Sequence, residues 1–347
     1  MGYTIKPNYD TNRKELGKVL PVDTPYTVFI EITRTCNFKC YYCMHSTKGI
    51  PGGEFEKNKL IVDHMPFELF KDISKQICAM NPQPKRVLLL GLGEPFMYPY
   101  IIEGIKQLRK DGYLGRLDMI TNASLIDKAM ADKLVSSGLS KLIISLQGMD
   151  EITYKEVCGY KINFDEFVQN LKYLYENRGD MHIYIKIMDN MLHSEEDKKS
   201  FFEIFGSISD TCNIEHLVVN QVQMGDHDGK VDHLLNIHSD EILPMEICSK
   251  PFYQIQIYPD GDVLACPISG APKVFTIGNV YEESLMEIWN GSRRRNVLEK
   301  FLRDRKLAYG PCEICESIHC VSRPEEIIDN HVDEIRERME KYYGIRN

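Results

Sequence analysis

The feature that most constrains the fold is a regular alternation of short apolar segments with amphipathic helical segments between residues 26 and 222. Such alternation predicts an α/β protein whose strands form a parallel sheet with right-handed crossovers. Six strand–helix units are too few for a closed eight-stranded barrel. We therefore expect a curved, open partial barrel or a doubly wound sheet, with its functional residues at the carboxyl ends of the strands. The predicted strands are 26–32, 86–93, 116–121, 141–147, 181–190 and 214–222.

Helices are predicted where apolar residues recur with a helical period. Pro66 suits the first turn of one of these helices, and Gly138 is placed to end another. A charged helix is expected to close the chain. The predicted helices are 66–80, 100–112, 124–138, 164–177, 195–208 and 324–344.

Charge and hydropathy argue against two classes of partner. The chain has 347 residues, with 42 Lys and Arg against 51 Asp and Glu, which gives a formal net charge of −9. Nucleic-acid-binding proteins usually carry basic surfaces, so we expect no nucleic-acid partner. No segment approaches the ~18 apolar residues needed to cross a bilayer, and the N-terminus lacks a secretory signal. We therefore expect a cytoplasmic protein with no membrane partner.

The cysteines indicate metal chemistry. The chain has 11 of them, and in a reducing compartment metal ligands or buried thiols are expected rather than disulfides. Cys78, Cys158 and Cys212 stand alone and are expected to be small buried apolar residues. The other eight form two groups, Cys36, Cys40 and Cys43, and then Cys248, Cys266, Cys312, Cys315 and Cys320.

The first group lies in the segment EITRTCNFKCYYCMHS, residues 31–46, just after the first predicted strand. Its spacing, C-x3-C-x2-C, suits three ligands of an iron–sulfur cube whose fourth iron stays open. Zinc is the alternative, although a closed zinc site needs four ligands. His45 could be the fourth, but it follows the last cysteine awkwardly closely.

This segment, C-x3-C-x-aromatic-C with Tyr42 as the aromatic residue, resembles the signature of the radical S-adenosylmethionine (SAM) superfamily. The resemblance implies a partial (β/α)6 barrel and a [4Fe–4S] cluster on Cys36, Cys40 and Cys43 that binds SAM. It also implies reductive cleavage of SAM to a 5′-deoxyadenosyl radical, which takes a hydrogen atom from an organic substrate. A flavodoxin- or ferredoxin-type protein would supply the electron.

The resemblance extends to several residues expected to contact SAM. The segment GLGEP, residues 91–95, resembles the GGEP motif of that superfamily, although Leu92 separates its glycines. Gly91 and Gly93 would let the backbone approach the ligand, and Glu94 would hold the ammonium group of SAM.

Four more residues complete the predicted set of SAM contacts. Asn122 and Ser145 follow or end the third and fourth strands, and Lys186 on the fifth is a weaker candidate. Tyr42 would pack on the adenine or shield the cluster. No residue is assigned as the catalytic base, because Pro267 stands where some related enzymes have an aspartate.

The second cysteine group resembles the SPASM or twitch auxiliary-cluster modules of radical SAM enzymes. Its spacing is C-x12-G-x4-C followed by C-x2-C-x4-C, with an Asp-Gly hairpin turn at Gly261. Five cysteines instead of seven favour a single second [4Fe–4S] cluster, with Cys320 as a spare that could replace one ligand. A zinc ribbon remains the alternative. The predicted ligands are Cys248, Cys266, Cys312 and Cys315.

The expected domain organisation follows from these segments. A basic segment, residues 292–306, is read as the solvated face of a helix or as a surface for an anionic substrate or an acidic electron donor. The expected divisions are an N-terminal extension 1–25, a partial barrel 26–222, a linker 223–247, an auxiliary-cluster module 248–320 and a C-terminal helix 321–347.

The predicted activity is that of a radical SAM oxidoreductase or isomerase. Its substrate is expected to be a sugar, aminocyclitol or glycan precursor, which it oxidises or epimerises. Peptide or protein modification, by thioether formation or side-chain oxidation, is the alternative. The 25 residues before the first strand are too few for a folded leader-binding domain, which favours the small molecule. A zinc-stabilised scaffold without activity is the third possibility.

Overall fold

The computed structural model describes residues 4–9, 12–60, 63–218 and 234–344. Within these ranges, nine strands form a single sheet. In chain order, the strands are β1 Thr27–Glu31, β2 Arg86–Leu90, β3 Arg116–Thr121, β4 Lys141–Ser145, β5 His182–Met188, β6 Thr211–Glu215, β7 Gln254–Ile257, β8 Asp262–Leu264 and β9 Thr276–Asn279.

Helices connect most of the consecutive strands. None of the helices in the described ranges combines the length and hydropathy needed to cross a lipid bilayer. The α-helices are α1 Leu16–Val19, α2 Glu54–Lys57, α3 Phe67–Ala79, α4 Ile101–Lys110, α5 Lys128–Val135, α6 Glu151–Cys158, α7 Phe164–Asn177, α8 Glu195–Gly206, α9 Lys250–Tyr253, α10 Leu285–Asn290, α11 Ser292–Asp304, α12 Gly310–Glu313, α13 Ser317–Cys320 and α14 Val332–Tyr343. Short 3-10 turns cover Met44–Thr47, Pro95–Met97, Asp189–Met191, Lys273–Phe275, Arg305–Ala308, Pro324–Glu326 and Asp329–His331.

The strand order shows how the sheet is wound. Neighbouring strands follow the order β6-β5-β4-β3-β2-β1-β7-β8-β9, and β1 to β6 are all parallel. Each successive strand from β1 to β6 is added on the same side, so right-handed crossovers put the connecting helices on one face. A doubly wound sheet would instead reverse direction at a switch point. The structure confirms the predicted α/β parallel sheet, and its winding is that of a partial (β/α)6 barrel.

The buried core lies between the outer face of this sheet and the helices. Successive side chains of a strand point to opposite faces, so every second residue contributes to the core. The outward-facing residues of the barrel strands are apolar and buried: Val28, Ile30, Val87, Leu89, Leu117, Met119, Leu142, Ile144, Ile183, Ile185 and Ile187.

The C-terminal half of the chain extends the sheet beyond β1. Strand β7 pairs in parallel with β1, with Gln254 opposite Thr27, and β8 and β9 continue antiparallel. Gly261, at the predicted hairpin turn between β7 and β8, has a φ of 85°, which favours glycine. The hairpin of the cysteine-rich segment therefore shares hydrogen bonds with the barrel.

The N-terminal extension borders the other edge of the barrel. The Cys212 N–H donates to the Thr4 carbonyl at 3.0 Å, and the Lys6 N–H donates to the Cys212 carbonyl at 3.1 Å. Further along, the Gly17 carbonyl accepts a hydrogen bond from Arg338 of α14. The described part of the extension is thus attached both to β6 and to the C-terminal helix.

The predicted bounds of the sixth strand, near the end of the barrel, are wrong. The sixth strand was expected over 214–222, but it covers Thr211–Glu215, because hydrogen bonding to β5 begins at Thr211. Residues 219–222 of that prediction lie outside the described residues, as do residues 223–233 of the expected linker. From residue 236 the chain packs on the protein, since the Ile237 N–H donates to the Cys320 carbonyl at 2.8 Å and Ile247 is fully buried.

The sequence did not predict helix α6, which the structure contains. Asp150 caps its first turn by accepting a hydrogen bond from the Thr153 N–H at 2.7 Å. Gly159, with a φ of 67°, ends it in the left-handed conformation. The C-terminal helix is also shorter than expected, since 3-10 turns occupy its predicted first residues.

The basic segment 292–306 is not a uniformly solvated face. Arg294 is buried beneath α11, where it stacks on Trp289 and donates to the Phe252 carbonyl at 3.0 Å. Arg293 and Arg305 are exposed and form ion pairs with nearby glutamates. Much of the positive charge of this segment is therefore buried in packing contacts or neutralised by ion pairs.

Candidate active site

The cysteine segment 36–43 follows β1 and is held against the end of α6. The Lys39 N–H donates to the Cys158 carbonyl at 2.9 Å, and the Tyr41 N–H donates to the Val157 carbonyl at 3.0 Å. Carbonyl groups in the last turn of a helix lack intrahelical partners. Here the backbone N–H groups of the cysteine segment are those partners. These bonds fix the segment at the carboxyl edge of the barrel strands.

The three thiols of this segment lie close enough to influence one another. Burial raises the pKa of Cys36 to about 12, and the charges of Glu94 and Cys43 contribute. The pKa of Cys40 lies well above its ordinary value, because its thiol is hydrogen-bonded to that of Cys158 and is buried. Thiols of raised pKa become thiolates when a metal supplies positive charge. The segment therefore gathers three potential metal ligands.

Two residues that the sequence did not identify as functional contact this segment. Cys158 is buried, as predicted, but its thiol also faces Cys40 and donates to the Tyr154 carbonyl at 2.9 Å. The Gln147 Oε1 accepts a hydrogen bond from the Tyr42 hydroxyl and lies 3.5 Å from the Cys40 Sγ. Gln147 comes shortly after β4. A polar residue at the carboxyl end of a barrel strand is a pattern that could have identified it as a functional residue.

Tyr42 is held between this glutamine and an apolar neighbour. Its hydroxyl donates to Gln147, and its ring packs against Leu217, which follows β6. The expected contact of Tyr42 with adenine, or its shielding of a cluster, stays a prediction.

Glu94 is buried shortly after the end of β2, and both of its carboxylate oxygens accept hydrogen bonds. Its Oε1 accepts from the Thr121 hydroxyl at 2.6 Å and from the Phe96 N–H at 3.1 Å, and its Oε2 accepts from the Asn122 N–H at 2.8 Å. Burial raises the pKa of Glu94 to about 7, although these hydrogen bonds favour the charged form. The carboxylate is therefore fixed in orientation next to β3.

Asn122 joins Glu94 to the cysteine segment. Its Nδ2 donates to the Asn37 Oδ1 at 3.0 Å, and the Asn37 Nδ2 donates to the Ser124 Oγ at 2.8 Å. Asn37 directly follows Cys36. The structure thus brings together three groups predicted from separate motifs, namely the cysteines, the glutamate and the asparagine.

Gly91 and Gly93 approach β1 closely. A Cβ atom at Gly93 would lie 2.7 Å from the Thr35 carbonyl oxygen and still nearer to that of Thr33. A Cβ at Gly91, whose φ is 154°, would overlap the side chain of Glu31. Close contacts within the protein therefore leave no space for a side chain at either glycine, and their expected approach to SAM stays a prediction.

Ser145 and Lys186 are opposite each other in the register of β4 and β5. The Lys186 Nζ lies 2.5 Å from the Glu215 Oε2, and the Tyr184 hydroxyl donates to the same carboxylate at 3.0 Å. The Ser145 carbonyl accepts from Gln147 at 3.2 Å. Lys186 therefore belongs to an ion pair on the inner side of the barrel.

The second cysteine group surrounds a common cavity. Burial raises the pKa of Cys266, and the nearby charges of Cys248, Cys315 and Cys312 raise it further. All four thiols line one cavity, whose other walls include Lys250 and are largely apolar. Four mutually close thiols around a volume suit a multi-metal cluster.

Cys320 is placed differently from these four. It is buried in α13, where burial and the nearby charges of Glu316 and Cys315 raise its pKa, but it does not line the shared cavity. Across the described ranges, no three His, Cys, Asp or Glu side chains are close enough to hold a single metal ion.

The two cysteine groups are connected by packing. A Cβ atom at Gly270, four residues after Cys266, would lie 2.6 Å from the Met44 Cε and 3.4 Å from the Leu92 Cδ1. Met44 directly follows Cys43. The loop after β8 therefore lies against the first cysteine segment.

Comparison with known proteins places the chain in a family. Residues 30–198 match the radical SAM superfamily, and residues 248–317 match an iron–sulfur cluster-binding domain, SPASM. The chain is a radical SAM enzyme with a C-terminal SPASM module. Its cofactors are accordingly SAM, the [4Fe–4S] cluster that binds SAM, and auxiliary iron–sulfur clusters. The thiols of the two cysteine groups are suitable donors for such clusters.

The chain is also similar to individual proteins that are named for different activities. An AdoMet-dependent heme synthase of Methanosarcina barkeri is 22% identical over 85% of this chain and 89% of its own length. An Fe-coproporphyrin III synthase of the same organism is 32% identical over 48% of this chain and 40% of its own length. A probable GTP 3′,8-cyclase of Pyrococcus horikoshii is 30% identical over 41% of each chain. The chain spans about two fifths of the last two proteins.

Solved structures share the fold. Streptococcus suis SuiB bound to S-adenosylmethionine superposes with a TM-score of 0.57 at 17% identity, over 91% of this chain and 79% of that one. BtrN in complex with AdoMet and 2-DOIA gives a TM-score of 0.51 at 14% identity, over 80% of this chain and 86% of that one. At these identities the likeness concerns the fold.

Proposed function

We propose that the protein cleaves SAM reductively and abstracts a hydrogen atom from a small polar molecule, such as a sugar, aminocyclitol or glycan precursor, to oxidise or epimerise it. Cys36, Cys40 and Cys43 would hold the SAM-binding cluster, which when reduced supplies the electron that cleaves SAM. The observation that carries this proposal is the network joining the cysteine segment to Glu94 through Asn122. It sets three thiols and one oriented carboxylate at the same edge of the barrel.

The roles we assign to this chain's residues are binding and orientation. The Glu94 carboxylate would accept hydrogen bonds from the ammonium group of SAM, and Thr121 holds that carboxylate in place. Asn122 and Ser145 would contact SAM from the neighbouring strand ends. Tyr42 would cover the cluster segment, with Gln147 fixing its hydroxyl.

We further propose an auxiliary [4Fe–4S] cluster on Cys248, Cys266, Cys312 and Cys315. Their convergence on one cavity supports this set over one that includes Cys320. Four cysteine ligands would fill the cluster's coordination, so its role would be electron transfer from a flavodoxin- or ferredoxin-type donor.

The substrate class rests on the inner face of the barrel and on the relatives. The side chains there include the Lys186–Glu215 ion pair, which suits a polar substrate. The two Methanosarcina barkeri relatives are named for the synthesis of heme and of Fe-coproporphyrin III, both small molecules.

The test is SAM cleavage by anaerobically reconstituted protein with dithionite as the reductant. Wild-type protein should form 5′-deoxyadenosine, and Cys40→Ala should form none. Cys78→Ala, which changes a cysteine on α3 remote from both groups, is the matched control and should match wild type. Equal 5′-deoxyadenosine formation by Cys40→Ala would contradict the proposal. Stimulation by peptides but not by sugars or aminocyclitols would favour peptide modification instead.

A further inference from the structure

The barrel strands carry two different kinds of side chain on their two faces. The outward-facing residues are apolar, whereas polar and charged residues alternate with them on the inner face. Parallel strands covered on both sides are normally apolar throughout, and closed barrels fill their interior with branched apolar side chains. Inner-face residues that break this rule include Thr27, Glu31, Arg86, Arg116, Asp118, Lys141, Lys186 and Glu215, whereas Phe29, Leu88, Ile120 and Ile143 follow it.

A cavity of about 870 Å³ lies along this inner face. Arg86 and Arg116, at the amino ends of β2 and β3, line one end of it. Lys186 and Glu215, near the carboxyl ends of β5 and β6, line another part. The volume is within the range of small-molecule sites. The cavity thus extends from the amino end of the barrel toward the edge that holds the cysteine segment.

The charge of this cavity is opposite to that of the protein. Among the described residues that line it, eight are Lys or Arg, two are Glu and none is Asp, although Asp and Glu outnumber Lys and Arg by 51 to 42 in the chain. Positive charge gathered in a concave surface of low dielectric attracts anions.

Both arginines on the cavity wall contact the same carboxylate oxygen of Asp118. The Arg86 Nε lies 2.6 Å and the Arg116 Nε 3.0 Å from the same Oδ2 of Asp118. Asp118 is fully buried, so it orients both guanidinium groups on the wall. Guanidinium groups fixed in this way suit the planar recognition of phosphate or carboxylate.

Two of the lysines that line the cavity, Lys14 and Lys85, lie close enough for their charges to interact. Burial lowers the pKa of Lys85, and the charge of Lys14 lowers it further. Neither lysine forms an ion pair with any residue in the described ranges. The Lys85 Nζ lies 3.9 Å from the centroid of the Tyr26 ring, which holds it in place. An anion between the two ammonium groups would relieve their repulsion.

We propose that this cavity binds the anionic group, a phosphate or carboxylate, of the organic substrate. Lys14 and Lys85 would attract it, and Arg86 and Arg116 would hold it. The neutral part of the substrate would then extend past Lys186 toward the SAM-binding edge. This assignment of the substrate as an anion rests on the proposed function.

The experiment measures anion binding by calorimetry on the full chain, reconstituted anaerobically, with inorganic phosphate and succinate as separate probes. We expect saturable binding of at least one probe that weakens with added salt. The tighter probe identifies the phosphate or the carboxylate as the recognised group. Lys14→Gln and Lys85→Gln should each weaken binding about threefold to tenfold. Lys133→Gln on the outer helix α5, an exposed lysine away from the cavity, should leave it unchanged.

Absence of saturable binding in wild type, or equal affinities in Lys85→Gln and Lys133→Gln, would overturn this inference. The two proposals fail separately, because 5′-deoxyadenosine formation is measured on the same wild-type preparation. Cleavage of SAM without anion binding removes only the anionic substrate class. Anion binding without cleavage of SAM removes the proposed function and, with it, the substrate role of the cavity.

Discussion

The guanidinium group of Arg34 lies over the ring of Tyr258, with its Cζ 4.4 Å from the ring centroid. Arg34 precedes the first cysteine segment, and Tyr258 follows β7 in the SPASM module. Arg34 also donates to Glu31 at 2.9 Å, and all three side chains are buried. The contact therefore links the barrel and the module through a buried ion pair and a stacked ring.

Replacing Arg34 should destabilise the protein more than replacing a surface charge. Arg34→Met leaves the buried Glu31 without its cation, and we expect a loss of about 3 kcal/mol in the free energy of unfolding. Arg34→Lys keeps the charge but not the planar contact with Tyr258, and a loss of about 1 kcal/mol is expected. Anaerobic urea unfolding of cluster-free protein measures both.

The matched control for this comparison is Lys198→Met. Lys198 forms an exposed ion pair with Glu195 on α8, which should contribute less than about 1 kcal/mol. An equal loss of stability in Arg34→Met and Lys198→Met would contradict the structural role of the buried pair.

The binding of SAM should depend on pH through Glu94. Burial raises the pKa of this carboxyl group to about 7, so it is largely protonated at pH 6 and charged at pH 8. Only the charged form attracts the ammonium group of SAM, so affinity should increase as the pH rises through this window. Equilibrium dialysis with reconstituted protein measures the affinity. Glu94→Gln should bind SAM more weakly and lose this dependence, and an unchanged pH profile in that variant would exclude the role.

The sequence correctly predicted those helices and strands in which the local pattern of apolar and polar residues matches the faces that are buried in the structure. Helix α7 covers the predicted residues 164–177, and β3 covers 116–121, because apolar periodicity and flanking polar residues coincide there. Helix α5 begins later than predicted. Asp127 caps it by accepting from the Met130 N–H at 2.7 Å, and this outweighs the apolar pattern that begins at residue 124.

Other features depend on contacts between distant segments and could not be read from spacing. The pairing of β7 with β1 joins residues more than 220 positions apart, and no local pattern specifies it. The contact of Cys158 with Cys40 arises because α6 docks under the cysteine segment. The cysteine spacing could be read from the sequence because neighbouring ligands must lie close along the chain, whereas their hydrogen-bonding partners need not.

Gly93 should tolerate no larger side chain. In Gly93→Ala the new methyl group would meet the backbone carbonyls of Thr33 and Thr35, neither of which can move without disturbing the end of β1. We expect a loss of about 1–3 kcal/mol in the free energy of unfolding, together with weaker SAM binding. Gly310→Ala is the control, since nothing lies within 4 Å of a Cβ there. Similar unfolding midpoints for the two variants would contradict this account.

The SPASM cysteines allow a direct comparison between Cys266 and Cys320. Cys266 lines the shared cavity with three other thiols, while Cys320 lies outside it. Fully loaded wild-type protein should hold about eight irons per chain, from two four-iron clusters. Cys266→Ala should fall to about four irons, because one cluster loses a ligand, while Cys320→Ala should keep about eight. Iron analysis with electron paramagnetic resonance of reduced samples distinguishes the two, and the opposite pattern would make Cys320 the ligand.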